Sequence, residues 1–269
     1  MKTIGLIGGM SWESTAYYYK LINEDIRSRL GGLHSAKIII YSVEFAEVEK
    51  YQSDGRWEKC GDILSRAAES LEAAGADFIL LGTNTLHRIA PQLESAAGIP
   101  FVHIADAAAR EIENSLIGKV GLLGTKYTLK EDFFKQRLID RGIEVLIPGD
   151  EDVEAVNDII FRELCLGEIR AESRKRLRGV IDRLAGRGAG GVILGCTELG
   201  LIIQPEDTPV PIFDTTVIHA RRAVELAHSV EPLEQIIDKL RHVIKNNHIM
   251  RLQNGECTVE MGFMMKMIS

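Results

Sequence analysis

The most restrictive feature of this 269-residue chain is an internal echo. Lys119-Val120-Gly121-Leu122-Leu123-Gly124-Thr125 repeats Thr3-Ile4-Gly5-Leu6-Ile7-Gly8-Gly9 about 116 positions later. Gly190-Gly191-Val192-Ile193-Leu194-Gly195-Cys196-Thr197 repeats Asp77-Phe78-Ile79-Leu80-Leu81-Gly82-Thr83-Asn84 after about 113, and Val210-Pro211-Ile212-Phe213-Asp214 repeats Ile99-Pro100-Phe101-Val102-His103 after about 111. Any one match would be weak. Three in the same order, at a nearly constant offset, mark a duplicated unit.

Each echo is a short apolar run closed by a turn and followed by a longer helical pattern, which predicts parallel-sheet α/β architecture. Strands are expected at 4–7, 37–43, 76–81 and 99–104, and helices at 12–29, with Ser11 as N-cap, and at 61–74. The unbroken apolar core of 37–43 predicts burial on both faces. A helix at 216–228 closes the second copy. A chain passing between two such halves often returns to complete the first. The expected organisation is therefore a discontinuous first domain (1–110 with 209–229), a second domain (111–208), and a C-terminal helix and tail (230–269). The tail carries an amphipathic face from Leu233 to Ile244 and a methionine-rich end.

Composition narrows the function classes. A net charge of −7 and no Lys/Arg run argue against nucleic acid as a partner. The apolar run at 4–7 is too short for a signal or membrane helix, so no membrane association is expected. The cysteines at 60, 165, 196 and 257 show no metal-binding spacing, and free thiols in a reducing cytoplasm are the simplest expectation. Gly5-Leu6-Ile7-Gly8-Gly9 lacks dinucleotide-binding spacing.

The chemistry concentrates at two strand ends. In parallel sheets the carboxyl ends of strands open into the ligand crevice. Cys196 follows one such strand, and a thiol with an ordinary pKa of about 8.5 can donate or accept a proton near neutrality. Glu198, two residues on, can set its protonation state. The plainer reading of a single cysteine is inert packing. Thr83 holds the equivalent place in the first copy, however, so halves related by a pseudo-twofold axis would aim both residues at one substrate. Asn84, Thr85 and Thr197 add donors suited to a carboxylate, although each is also an ordinary turn residue. A packing role suffices for Cys60 and Cys165, and a structural hydrogen bond for His87.

The segments Gly5-Leu6-Ile7-Gly8-Gly9-Met10-Ser11, Gly82-Thr83-Asn84-Thr85-Leu86-His87 and Gly195-Cys196-Thr197-Glu198-Leu199 together resemble the aspartate/glutamate racemase family, across roughly residues 3–228. The resemblance implies two similar parallel-sheet α/β domains with the active site between them, no pyridoxal phosphate or metal, and a homodimer. It further implies that Cys196 and Thr83 form the acid/base pair. Met10, Ser11, Gln52 (in the loop after the second strand), Asn84, Thr85, Thr197 and Glu198 would then face the substrate, an amino acid such as aspartate or glutamate. Two departures stand out. Many members carry cysteine at both catalytic positions, and Thr83 in place of the first makes the two directions unequal, with Cys196 the better proton acceptor. Leu166 stands where some aspartate racemases have lysine, so another cation, Arg162 or Lys126, must meet the distal carboxylate unless specificity is looser. A solvated surface place is the plainer reading of both. The alternatives are a racemase of wider amino-acid or hydantoin range on the same scaffold, and a catalytically silent amino-acid-binding homologue.

Overall fold

The computed structural model describes residues 1–228; the expected C-terminal helix and tail lie outside the described residues. The first copy runs β1 (Ile4–Gly8), α1 (Trp12–Leu30), β2 (Ile38–Ser42), α2 (Phe45–Ser53), α3 (Trp57–Ala73), β3 (Phe78–Leu81), α4 (Ala90–Ala96), β4 (Phe101–Val102) and α5 (Ile104–Asn114). The second runs β5 (Lys119–Gly124), α6 (Lys126–Lys130), α7 (Asp132–Ile139), β6 (Glu144–Leu146), α8 (Asp150–Arg162), α9 (Ala171–Gly186), β7 (Val192–Gly195), α10 (Leu199–Ile202), β8 (Ile212–Asp214) and α11 (Thr215–His228). Each copy builds a parallel four-stranded sheet, in the orders β2-β1-β3-β4 and β6-β5-β7-β8. The repeat in sequence is thus a repeat in topology.

The central strands are buried, save half-buried Lys119 at the start of β5, because helices cover both sheet faces. In β3, Phe78 and Leu80 join a core with Tyr18, Ile22 and Ile26 of α1, while Ile79 and Leu81 face Leu64, Ala67 and Leu71 of α3. This is the period-2 alternation of a strand. The second sheet divides likewise: Leu194 packs with Val180 and Ile181 of α9, and Ile193 with Phe134 and Leu138 of α7.

The expectation that residues 37–43 are buried on both faces is corrected. β2 is an edge strand: Ile38 and Ile39 are half-buried, and Ile40, Tyr41 and Ser42 are exposed. An apolar run reports hydrophobicity but not its place in the sheet order.

The copies exchange helices. α5 follows β4 without a linker, yet Ile104, Ala105 and Ile112 pack with Val120, Leu122 and Ile193 of the second sheet. α11 follows β8 and returns Ala220, Ala223 and Val224 to Ile4 and Leu6 of the first. Lys2 N–H donates to the Ala227 carbonyl at 2.9 Å. The segment from 209 puts its strand in the second sheet and its helix on the first, and α5 serves the second core. Sequence order places α5 after the first sheet, but the apolar face it must bury finds its match across the seam.

Candidate active site

Both copies end their central strands in the seam. Gly9, after β1, has φ of +96°, and a Cβ there would lie 2.3 Å from the Val43 carbonyl oxygen, so only glycine fits this turn. Ser11 then caps α1, its Oγ accepting from Ser14 N–H at 3.3 Å. A Cβ on Gly195 would lie 2.7 Å from the Leu123 carbonyl oxygen. This close approach sets the path of the chain into Cys196.

Thr83 and Cys196 line the same cavity, with Met10, Gln52, Asn84, Thr85, Thr197 and Glu198. Its free volume is about 20 Å³, room for roughly one water molecule. Thr83 is 8% exposed and Cys196 7%. Sequence-expected residues are therefore brought together, with two differences. Ser11 is not among the lining residues; its hydroxyl donates to Glu198 Oε1 at 2.9 Å, and this contact orients the carboxylate. Gln52 reaches the cavity from helix α2, not from a loop, and is buried.

Glu198 is the polar centre of the second loop. Its Oε2 accepts from Cys196 Sγ at 3.1 Å and from Thr197 Oγ1 at 2.8 Å. Burial pushes the Cys196 thiol well up from its ordinary range, and the Glu198 carboxylate pushes it further. Cys196 therefore rests as a thiol whose proton points at a carboxylate.

The first loop is tied to the second through Thr215. Asn84 Nδ2 donates to Thr215 Oγ1 at 3.0 Å, and Thr215 donates to the Leu194 carbonyl at 2.7 Å, two residues before Cys196. Asn84 Oδ1 is buried without a hydrogen-bond partner among the described residues. Thr85 and Thr125 share a 2.9 Å hydrogen bond across the copies. Sequence reasoning did not single out Thr125 or Thr215. The echo could have found Thr125, which stands where Gly9 stands in the first copy. Phe45, Ile160, Phe161 and Cys165 complete an apolar part of the wall. Packing alone is therefore too little to say of Cys165, which is half-buried and borders the site. Cys60 is buried in α3, its Sγ 3.5 Å from the Val48 carbonyl. Leu166 is largely exposed and does not line the cavity.

Behind Thr83 lies a buried layer of imidazoles. His87 Nδ1–H donates to the Thr83 carbonyl at 2.7 Å, and its Nε2 accepts from Ile104 N–H at 3.2 Å. Both ring nitrogens are thereby engaged as a neutral tautomer. His219 is held by Tyr18 Oη at Nδ1 (3.0 Å) and by the Val102 carbonyl at Nε2 (2.8 Å). Burial lowers His219 to about 4 and His103 to about 2, from an ordinary value near 6.5, and lowers His87 well below it. The unfolded chain binds these protons first as pH falls. The stabilisation is complete above pH 6.5 and is lost on acidification through the folded values. For His219 alone the loss between pH 6.5 and 4 is on the order of 3 kcal/mol. The melting temperature is expected to drop steadily over that range, and His219→Gln to flatten the drop. Superimposable curves for variant and parent would contradict this.

Among the described residues no helix is long and apolar enough to cross a membrane, and no group of three or more His, Cys, Asp or Glu is placed to hold a metal ion. The Asp/Glu/hydantoin racemase family profile matches residues 7–223. The broad-specificity amino-acid racemase RacX of Bacillus subtilis is 24% identical over 234 residues, 82% of this chain and 96% of the relative. Among solved structures, a candidate Asp/Glu racemase from Yersinia pestis superimposes with a TM-score of 0.80 at 52% identity, covering 85% of this chain and 100% of that one. An aspartate racemase homologue from Pyrococcus horikoshii gives 0.75 at 41% identity, with 85% and 100% covered. With the repeated topology and the paired loops, these matches show that the chain belongs to the Asp/Glu/hydantoin racemase family.

Proposed function

We propose that the chain is a cofactor-independent amino-acid racemase, acting on aspartate or glutamate by proton abstraction at Cα and return on the opposite face. The observation that carries this reading is that Thr83 and Cys196, at equivalent ends of β3 and β7, line one cavity. Cys196 passes its proton to Glu198, and the thiolate takes the Cα proton. Thr83 delivers a proton from the other side and regains one from solvent, and Glu198 releases to solvent the proton it took, which restores the resting site. Asn84 Oδ1, buried and unpartnered, suits the substrate ammonium, while the Thr85 hydroxyl suits the α-carboxylate, as does that of Thr197 once Glu198 Oε2, to which it donates at rest, has taken up the Cys196 proton. Preorganised donors of this kind stabilise the carbanion-like state. Deuterium wash-in at Cα in D₂O tests the reading; absence of exchange with both enantiomers of aspartate and glutamate rejects it for those substrates.

A wider amino-acid range has one observation in its favour: Phe45, Ile160 and Phe161 line the cavity, and among the described residues no Lys or Arg does so. Exchange of neutral amino acids at rates matching the acidic ones would establish that version. Binding without exchange would establish the silent homologue.

The protein acts in the reducing cytoplasm, which keeps Cys196 a free thiol, and as a homodimer. Trp12 (69% exposed) and Tyr19 (51%) on α1 join Ile40 and Tyr41 on the edge strand β2 in an apolar face, part of which encloses a groove of about 400 Å³. A second copy of the chain covers it. Sedimentation should show a dimer, and Tyr19→Glu with Ile40→Lys a monomer; an unchanged mass would place the interface elsewhere.

A further inference from the structure

The inner cavity shares Gln52 and Phe161 with an outer, polar cavity of about 370 Å³ between α2 and α8. Both cations that sequence reasoning considered for a distal carboxylate, Lys126 and Arg162, line this outer space. Three acidic residues, Glu49, Glu154 and Asp158, line it too, so its net charge alone does not select an anion.

The pairing of these groups does. Asp158 lies 3.5 Å from Arg162, and Glu154 3.8 Å from Lys130. Glu49 accepts from the Ser53 hydroxyl. Among the described residues Lys126 has no carboxylate within ion-pair distance; its ammonium rests 5.5 Å from the centre of the Tyr127 ring. Its backbone N–H is fixed by Asn157 Oδ1 at 3.1 Å, one residue after Thr125, whose hydroxyl meets Thr85 across the seam. Lys126 is therefore an uncommitted cation on an anchored backbone, beside the boundary that the two cavities share.

Resting on the racemase reading, we infer that Lys126 binds the distal carboxylate of a glutamate-length substrate whose side-chain methylenes pass between Gln52 and Phe161. The inner wall then has a reason to be apolar, since it meets methylenes. A β-carboxylate, as in aspartate, would lie against Phe45, Ile160 and Phe161 with no cation among the described residues that line the inner cavity, and burying an unpaired charge is costly. One more methylene carries the charge to the outer cavity. The substrate class is thus a five-carbon acidic amino acid ahead of its four-carbon homologue.

Glutamine, isosteric with glutamate but neutral, makes the test specific. In Cα–H exchange by the full chain, Lys126→Gln should raise KM for glutamate about tenfold, leave kcat nearly unchanged, and leave glutamine unaffected. Arg162→Gln, whose guanidinium already has Asp158, should change KM for glutamate less than threefold. Added salt should weaken glutamate, not glutamine, in the parent protein. An unchanged KM for glutamate in Lys126→Gln overturns the assignment, as does an equal rise for glutamine. If the parent exchanges no amino acid, the racemase reading fails separately, and calorimetric binding of glutamate decides the role of Lys126. A tenfold weaker Kd in Lys126→Gln supports it; an unchanged Kd, or no binding by the parent, overturns it.

Discussion

Cys196→Ala is expected to lower Cα–H exchange by roughly a thousandfold, within the range a positioned acid/base group contributes. The loss should be large because nothing at the site can substitute. Thr83 carries a hydroxyl, a poor base unless activated. Cys165 also borders the cavity, but among the described residues its thiol has no hydrogen bond to a carboxylate that could take its proton, whereas Cys196 donates to Glu198 at 3.1 Å. Cys196→Ser tests the same point more finely. It keeps a donor to Glu198 and the shape of the loop, yet a hydroxyl surrenders its proton far less readily, so activity should stay close to that of the alanine variant. A melting curve separates chemistry from folding, since the change removes one sulfur from a 7%-exposed position. Exchange within tenfold of the parent by Cys196→Ala would show that another residue is the base.

Thr83→Cys should have the second largest effect, in the opposite sense. The expectation that Thr83 makes the two directions unequal does not extend to kcat/KM for inversion, which is the same both ways because two enantiomers have equal free energy. Unequal acid/base partners therefore appear as unequal exchange without inversion. The enantiomer presenting its Cα–H to Cys196 should wash in deuterium much faster than it inverts, while its mirror image exchanges slowly. A thiol at 83 supplies an acceptor on the second face. The slow enantiomer should gain roughly ten- to a hundredfold in exchange rate, inversion should quicken, and the ratio of the two exchange rates should approach one. Mass spectrometry of the separated enantiomers reads all three. A parent with equal exchange rates, or a variant with an unchanged ratio, would mean that position 83 does not face Cα.

Much of this was legible in the sequence because duplication writes the same constraint twice. The echo at Leu81-Gly82-Thr83 and Leu194-Gly195-Cys196 located both strand ends, and the structure puts them in one cavity. What stayed hidden depended on partners distant in sequence. Ile38–Ser42 reads as interior until the sheet order places it at an edge. Gln52 was expected in a loop because α2 is short and its apolar positions are few. Thr215 looks like the first turn of any helix, and only the 131-residue contact with Asn84 shows that it joins the two loops. Ser11 was expected at the substrate, and its role as N-cap left no sign that its hydroxyl also meets Glu198 across 187 residues.

The exchanged helices carry a consequence for how the site can admit a ligand. α5 belongs by chain order to the first copy and by packing to the second, and α11 does the reverse. Neither copy owns a complete shell, so a chain cut in the turn near residue 116 would yield two fragments that each leave a sheet face bare. They could recover a native surface only by finding one another. In the intact chain the same entanglement forbids the copies to part. A cavity with room for one water must widen before an amino acid can enter, and α5 and α11, each packed against the other copy's sheet, tie together the two walls that carry Thr83 and Cys196.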